Sequence, residues 1–125
     1  MIDLFSNEVN CLLVQTRFSD YSFWNYQDVC KIVGKKYPAA PLGLLTVAAL
    51  LPQHWNFKLV DENVESLTDE HLRNADLVCI GGMLPQQNSM LKLIKRAHQL
   101  NCIVVVGGPD PTSQPDLYSE ADFLV

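Results

Sequence analysis

The chain has 125 residues, 48% of them hydrophobic and 18% charged, the size and make-up of one ordinary globular domain rather than of a disordered or collagen-like chain. Nine Lys and Arg against fourteen Asp and Glu give a formal net charge of -5, which argues against a nucleic-acid or anionic-membrane surface as the main partner. Met1-Ile2-Asp3-Leu4-Phe5 lacks the basic stretch and apolar run of a secretory signal, and no run reaches the roughly 18 apolar residues of a transmembrane segment, so a soluble, cytoplasmic protein is expected.

Cys11-Leu12-Leu13-Val14 predicts the first strand. The stretch 18–40 then replaces the connection of roughly 2–6 residues usual between a strand and its helix. It holds Phe18, Tyr21, Phe23, Trp24, Tyr26 and Tyr37, six of the chain's 11 aromatic residues (Phe 5, Tyr 4, Trp 2). Inside it, Phe23 to Val33 predicts an extra helix, with Ser22 as N-cap and Gly34 as the stop. Two roles stand open for this insertion: packing on the sheet edge, or forming a lid or docking surface at the ligand end of the sheet. Pro41 to Leu51 is apolar almost all round and closed by Pro52, which predicts a helix buried on more than one side.

Phe57-Lys58-Leu59-Val60 predicts a second strand running into Asp61-Glu62-Asn63. Thr68, followed by Asp69 and Glu70, predicts an N-cap and acidic first turn for a short helix to about Asn74. Leu77-Val78-Cys79-Ile80 and Cys102-Ile103-Val104-Val105-Val106 are continuous apolar runs, the mark of strands covered on both faces. Between them, from about Gln86 to Leu100, Met90, Leu93, Ile94 and Ala97 fall on one helical face while Lys92, Lys95, Arg96 and Gln99 face away. Phe123-Leu124-Val125 predicts a fifth strand. A chain stopping there leaves the last sheet face without its helix, so the 125 residues are expected to be a single domain and the N-terminal piece of a longer protein.

Alternating strands and helices with right-handed crossovers predict an α/β, three-layer open parallel five-stranded sheet in the flavodoxin-like (Rossmann-like) order 2-1-3-4-5. Cys11, Cys30, Cys79 and Cys102 match no metal or redox spacing, and reduced thiols acting as small buried hydrophobes are expected.

Ligands of such sheets sit beyond the carboxyl ends of the strands. Here the third strand runs into Gly81-Gly82-Met83 and the fourth into Gly107-Gly108-Pro109. Two glycine pairs at neighbouring strand ends remove side chains, so a bulky group can lie on bare backbone. No G-x-G-x-x-G follows the first strand and there is no Walker loop. Gln15-Thr16-Arg17 and Gly81 replace the acids of a phosphorelay receiver, and no Ser or Cys stands in a nucleophile elbow. His54, His71 and His98 read as surface histidines. Neither a catalytic residue nor a metal ligand is assigned.

Phe23-Trp24-Asn25-Tyr26, Ile32-Val33-Gly34-Lys35-Lys36, Pro41-Leu42-Gly43-Leu44-Leu45-Thr46-Val47-Ala48-Ala49-Leu50-Leu51-Pro52, Leu59-Val60-Asp61-Glu62-Asn63-Val64, Leu67-Thr68-Asp69-Glu70 and Gly107-Gly108-Pro109 follow one another in order. Together they resemble the N-terminal cobalamin (vitamin B12)-binding domain of cobalamin-dependent radical SAM enzymes, nearest to the hopanoid methyltransferase type and similar to domains of anaerobic magnesium-protoporphyrin monomethyl ester cyclases. The wider fold carries Asp-x-His-x-x-Gly, Ser-x-Leu and Gly-Gly elements. Gly107-Gly108 match the last, Gly81-Gly82-Met83 stand in place of Ser-x-Leu, Gly43 is the one remnant of the first, and the His is missing.

The resemblance implies cobalamin with its nucleotide tail inserted beside the sheet and no histidine of this chain on cobalt. Gly43, Thr46, Asp61, Asn63, Gly81, Gly82, Met83, Gly107, Gly108 and Pro109 are the implied cofactor-binding residues. Thr46 has a competing role in bonding its own helix backbone, and Asp61 and Asn63 have one in capping the turn that follows them. S-adenosylmethionine and a 4Fe-4S cluster are expected only in a downstream domain, the implied partner, where methyl transfer or oxidative cyclisation at an unreactive carbon would occur. Two alternatives stay open: a degenerate fold that docks other domains without cofactor, and a flavodoxin-like binder of another nucleotide or a flavin.

Overall fold

A computed structural model describes residues 7–125; the opening Met1–Phe5 lies outside the described residues. The elements in chain order are β1 (Asn10–Gln15), α1 (Gln27–Ile32), α2 (Leu42–Leu50), β2 (Asn56–Asp61), α3 (Asp69–Arg73), β3 (Leu77–Gly81), α4 (Gln87–Gln99), β4 (Ile103–Gly107), α5 (Pro109–Ser113) and β5 (Phe123–Leu124). Single 3₁₀ turns at Phe23–Asn25, Leu84–Gln86 and Pro115–Tyr118 join them. All four strand pairings are parallel and the order is β2-β1-β3-β4-β5, the expected flavodoxin-like arrangement.

The period-two alternation of the strands splits the core. Leu12, Val14, Val60, Val78, Ile80, Val104 and Val106 point to one face, where Met90, Leu93, Ile94 and Ala97 of α4 close over them with Leu72 and Tyr118. Cys11, Leu13, Leu77 and Cys79 point to the other, against Leu44 of α2 and Trp55. Residues one step apart on a strand thus serve different helices. Cys11 Sγ and Cys79 Sγ meet there at 3.8 Å. All four cysteines are free and buried, and the contact with Cys79 together with burial pushes the Cys11 thiol up, away from the reactive thiolate.

Thr68 caps α3 with a reciprocal pair: the His71 N–H donates to Thr68 Oγ1 and the Thr68 N–H donates to His71 Nδ1, each at 3.3 Å. The expected N-cap is therefore in place, with His71 as its partner. Asp122 ties β5 to β4, its carboxylate accepting from the Val104 N–H at 2.8 Å and facing His98 Nε2 at 2.9 Å. Partial burial opposes ionisation of Asp122, but those two contacts outweigh it and hold the carboxyl below its usual range.

Two helical expectations need correction. The helix read from Phe23 to Val33 is broken: a 3₁₀ turn ends at Asn25, Tyr26 takes the left-handed conformation (φ 48), and α1 starts only at Gln27, so the N-cap is Tyr26 rather than Ser22. The turn leaves Tyr26 N–H bonded to the Phe23 carbonyl instead of continuing an α-helix. Gly34 does stop the helix, at φ +68. The second correction concerns α2, which is not buried on several sides. Leu44 is its one buried residue, while Leu42 is 68% and Leu50 83% exposed. Its apolar residues go all round, but it touches the sheet along a single line, and one flank borders open space. Among the described residues no helix is long and apolar enough to cross a membrane.

Candidate functional site

Strand register builds the site. Gln15 pairs with Asp61 on one side and Gly81 on the other, and Gly81 pairs with Gly107. The ends of β2, β1, β3 and β4 therefore lie level, presenting Asp61, Gln15, Gly81 and Gly107 in a row. Half of that row is bare backbone. A Cβ at Gly81 would stand 3.6 Å from both the Gly107 carbonyl oxygen and Leu44 Cδ2, placing this glycine under the first turn of α2.

One residue further along, the two turns touch. Gly108 adopts φ +103, and a Cβ there would meet the Gly82 nitrogen at 3.0 Å and its oxygen at 3.1 Å. The Asp110 N–H donates to the Gly82 carbonyl at 3.2 Å. Backbone thus lies directly on backbone, which only glycine permits at this conformation.

Buried polar groups hold these turns. Gln86 donates from Nε2 to the Thr16 carbonyl at 2.8 Å and accepts from the Met83 N–H at 2.9 Å, linking the end of β1 to the turn after β3. Asp110, 3% exposed, accepts from Gln87 Nε2 at 2.9 Å, Gln114 Nε2 at 3.0 Å and the Tyr118 hydroxyl. Burial and the Asp110 carboxylate push the Tyr118 phenol up, so it remains a donor across the physiological range. Because Gln86 leaves no polar atom idle, Gln86→Ala is expected to lower stability by roughly 2–3 kcal/mol through unmade buried hydrogen bonds; a shift of the urea midpoint to lower concentration checks this.

Between α2 and the sheet opens a cleft of about 1140 Å³. Gly43, Leu44 and Val47 of α2 form one wall, Cys79 and Val105 of the strands another, and the glycine row its end. Of the exposed apolar residues of α2, Leu42 and Val47 border this cleft, whereas Leu45 and Leu50 do not. Of the sequence-assigned residues, Gly43, Asp61, Asn63, Gly81, Gly82, Met83, Gly107, Gly108 and Pro109 all line it. Thr46 is set apart: it is not on the cleft wall, and its hydroxyl donates to the Leu42 carbonyl at 2.8 Å, the backbone bond that helix threonines favour.

Asp61 and Asn63 cap the β2 turn. Asp61 Oδ1 accepts from the Asn63 N–H and from Asn63 Nδ2, both at 2.9 Å, while Asn63 Oδ1 accepts from the Phe18 N–H at 3.0 Å. Glu62 beside them also borders the cleft, and burial raises its carboxyl against the pull of Arg17 and Arg96.

Sequence reasoning left the insertion's role open between the sheet edge and the ligand end of the sheet, and named none of its residues as site residues. Tyr26, Cys30, Lys31, Lys35, Lys36 and Tyr37 line the cleft, so segment 18–40 reaches the carboxyl end of the sheet. The available signal was its length and aromatic content; which side it would take was not encoded locally. Among the described residues no three His, Cys, Asp or Glu stand together as a metal group, and His54, His71 and His98 all lie off the cleft wall.

The cleft has room for a large ligand. Its volume slightly exceeds the roughly 300–1,000 Å³ of common ligand pockets. Gly43 faces it with nothing within 4 Å of where a Cβ would be, so room remains beside the helix.

Residues 32–125 match the model of the family described as the B12 binding domain. The chain is 45% identical over 106 residues to a Synechocystis sp. protein named an uncharacterized methyltransferase, covering 83% of this chain and 20% of that protein. It is 39% identical over 84 residues to the hopanoid C-2 methylase of Rhodopseudomonas palustris, covering 67% of this chain and 16% of that one. The chain thus spans about a fifth or less of the length of the curated relatives it matches. No solved structure matches it with significance.

Proposed function

This chain belongs to the B12 binding domain family, and from that premise we propose that it holds cobalamin in the cleft and presents it to a downstream radical SAM domain of a longer polypeptide. The observation that carries this reading is the slot between α2 and the sheet, ending on the level, side-chain-free row of Gly81 and Gly107. An elongated nucleotide tail needs an apolar channel with small residues at its end. Leu44, Val47 and Val105 supply the walls, and Gly43, Gly81, Gly82, Gly107 and Gly108 the room.

Bound cobalamin supplies a cobalt centre able to carry a methyl group or partner a radical. The chain's own share is to bind and orient. Backbone at Gly82 and Gly108 keeps the rim rigid, Asp110 and Gln86 fix the two turns from beneath, and Asp61 and Asn63 brace the β2 turn at the cleft's border. Since His54, His71 and His98 lie off the cleft, no imidazole of this chain is expected on cobalt, and shape and backbone contacts accommodate the bulk of the ligand. The names of the two relatives support methyl transfer as the reaction of the whole protein; an unreactive carbon as its target, and oxidative cyclisation as the alternative, are drawn from the resemblance. S-adenosylmethionine and a 4Fe-4S cluster belong, on this reading, to the downstream domain.

Purified chain incubated with hydroxocobalamin is expected to turn red and keep the colour through gel filtration. A colourless protein that still elutes as folded overturns the reading, and a rise in melting temperature with a flavin or nucleotide in place of cobalamin would assign the cleft to that ligand.

A further inference from the structure

Charge is divided unevenly around the cleft. Lys31, Lys35 and Lys36 all come from the insertion and all line it, three of the nine basic residues of a chain whose net charge is -5. Gly34 turns the chain at the end of α1, and the Lys35 N–H donates to the Cys30 carbonyl at 2.8 Å, folding the next residues back over the helix end. Among the described residues, neither Lys35 nor Lys36 has an ion-pair partner, and the pair of Lys31 with Asp28, at 3.8 Å, is exposed. The acids on the cleft, Asp61, Glu62 and Glu65, lie at the end of β2 and in the turn that follows it. Asp61 is already engaged by Asn63, and neither Glu62 nor Glu65 is within ion-pair distance of these lysines.

We propose that Lys35 and Lys36, with Lys31 beside them, form an anion subsite that takes the phosphodiester of the corrinoid's nucleotide tail. The proposal rests on the cobalamin reading above. The amide arms of a corrinoid are neutral, so the phosphodiester is its fixed negative charge. Two ammonium groups without carboxylate partners, at the border of an apolar slot, match that charge as point donors on flexible stems. The insertion would then recognise the tail, whereas the glycine row accommodates its bulk.

The test compares hydroxocobalamin with diaquocobinamide, which lacks the nucleotide and its phosphodiester, on the chain and on a Lys35→Glu, Lys36→Glu double variant. The chain is expected to bind cobalamin more tightly than cobinamide, with added salt weakening the former only. The double variant is expected to lose about tenfold in cobalamin affinity, the sum of two exposed charge contacts, with cobinamide affinity and the urea midpoint unchanged. A variant that binds both corrinoids as the parent does, or loses both equally, overturns the subsite while leaving the cobalamin reading intact. Stabilisation by inorganic phosphate with no preference between the corrinoids assigns the lysines to a free phosphate and also overturns it. If the parent chain retains neither corrinoid, the cobalamin reading fails and the subsite with it.

Discussion

Gly108→Ala unfolds in urea at a markedly lower concentration than the parent chain, with a loss of roughly 2–4 kcal/mol, combining the strain of a left-handed alanine with overpacking against fixed atoms. Three glycines separate those causes. Gly34 is at φ +68 but has nothing within 4 Å of its would-be Cβ, so Gly34→Ala carries the conformational part alone, about 1–2 kcal/mol. Gly82 has no left-handed backbone, and a Cβ there would meet Gln86 Oε1 at 2.8 Å and Met90 Sδ at 3.1 Å, the ends of buried side chains rather than backbone, so Gly82→Ala carries the packing part without the conformational one. Gly108 has both problems, and the atoms it would strike are the backbone of Gly82. Neither turn can retreat, because Gln86 holds one and Asp110 the other. Equal losses for Gly34→Ala and Gly108→Ala would show that the two turns are not packed as described.

Gly43→Leu should have the opposite signature. The residue lies in the first turn of α2 with open space before it, and glycine in a helix is less favourable than other residues by about 0.5–1 kcal/mol. The variant is therefore expected to melt no lower than the parent. A leucine there occupies the cleft, and cobalamin affinity is expected to fall at least about tenfold, some 1.4 kcal/mol. Spectrophotometric titration alongside thermal melting checks both halves. A variant that is stable and binds as tightly as the parent removes Gly43 from the ligand's path.

The sheet was legible because its information is local. Continuous apolar runs mark β3 and β4 as inner strands, and a glycine pair follows each, so strand identity, parallel order and the end on which a ligand sits all follow; the expected cover on both faces holds for β3, whereas Ile103 and Val105 of β4 are only half-buried because the cleft opens on their side. The i, i+3, i+4, i+7 pattern of Met90, Leu93, Ile94 and Ala97 marks α4 equally well. What failed was pattern without contrast: α2 is apolar all round, and composition cannot say which side packs and which borders a cleft. The helix at 23–33 looked continuous because nothing in its residue types announces the left-handed turn at Tyr26. The meeting of Cys11 with Cys79 depends on the register of two strands 68 positions apart. The lysines of the insertion gained meaning only once the chain was seen to fold over the strand ends. Nine of the ten residues assigned to the cofactor share one cleft because they sit at strand and helix ends that parallel topology brings level; Thr46, mid-helix, does not.

The most direct test is a crystal structure of the chain grown with hydroxocobalamin. The account predicts the nucleotide tail between α2 and the sheet, reaching the level backbone of Gly81 and Gly107, with no histidine of this chain on cobalt. A corrinoid seated elsewhere, with the slot filled by protein side chains, would contradict it.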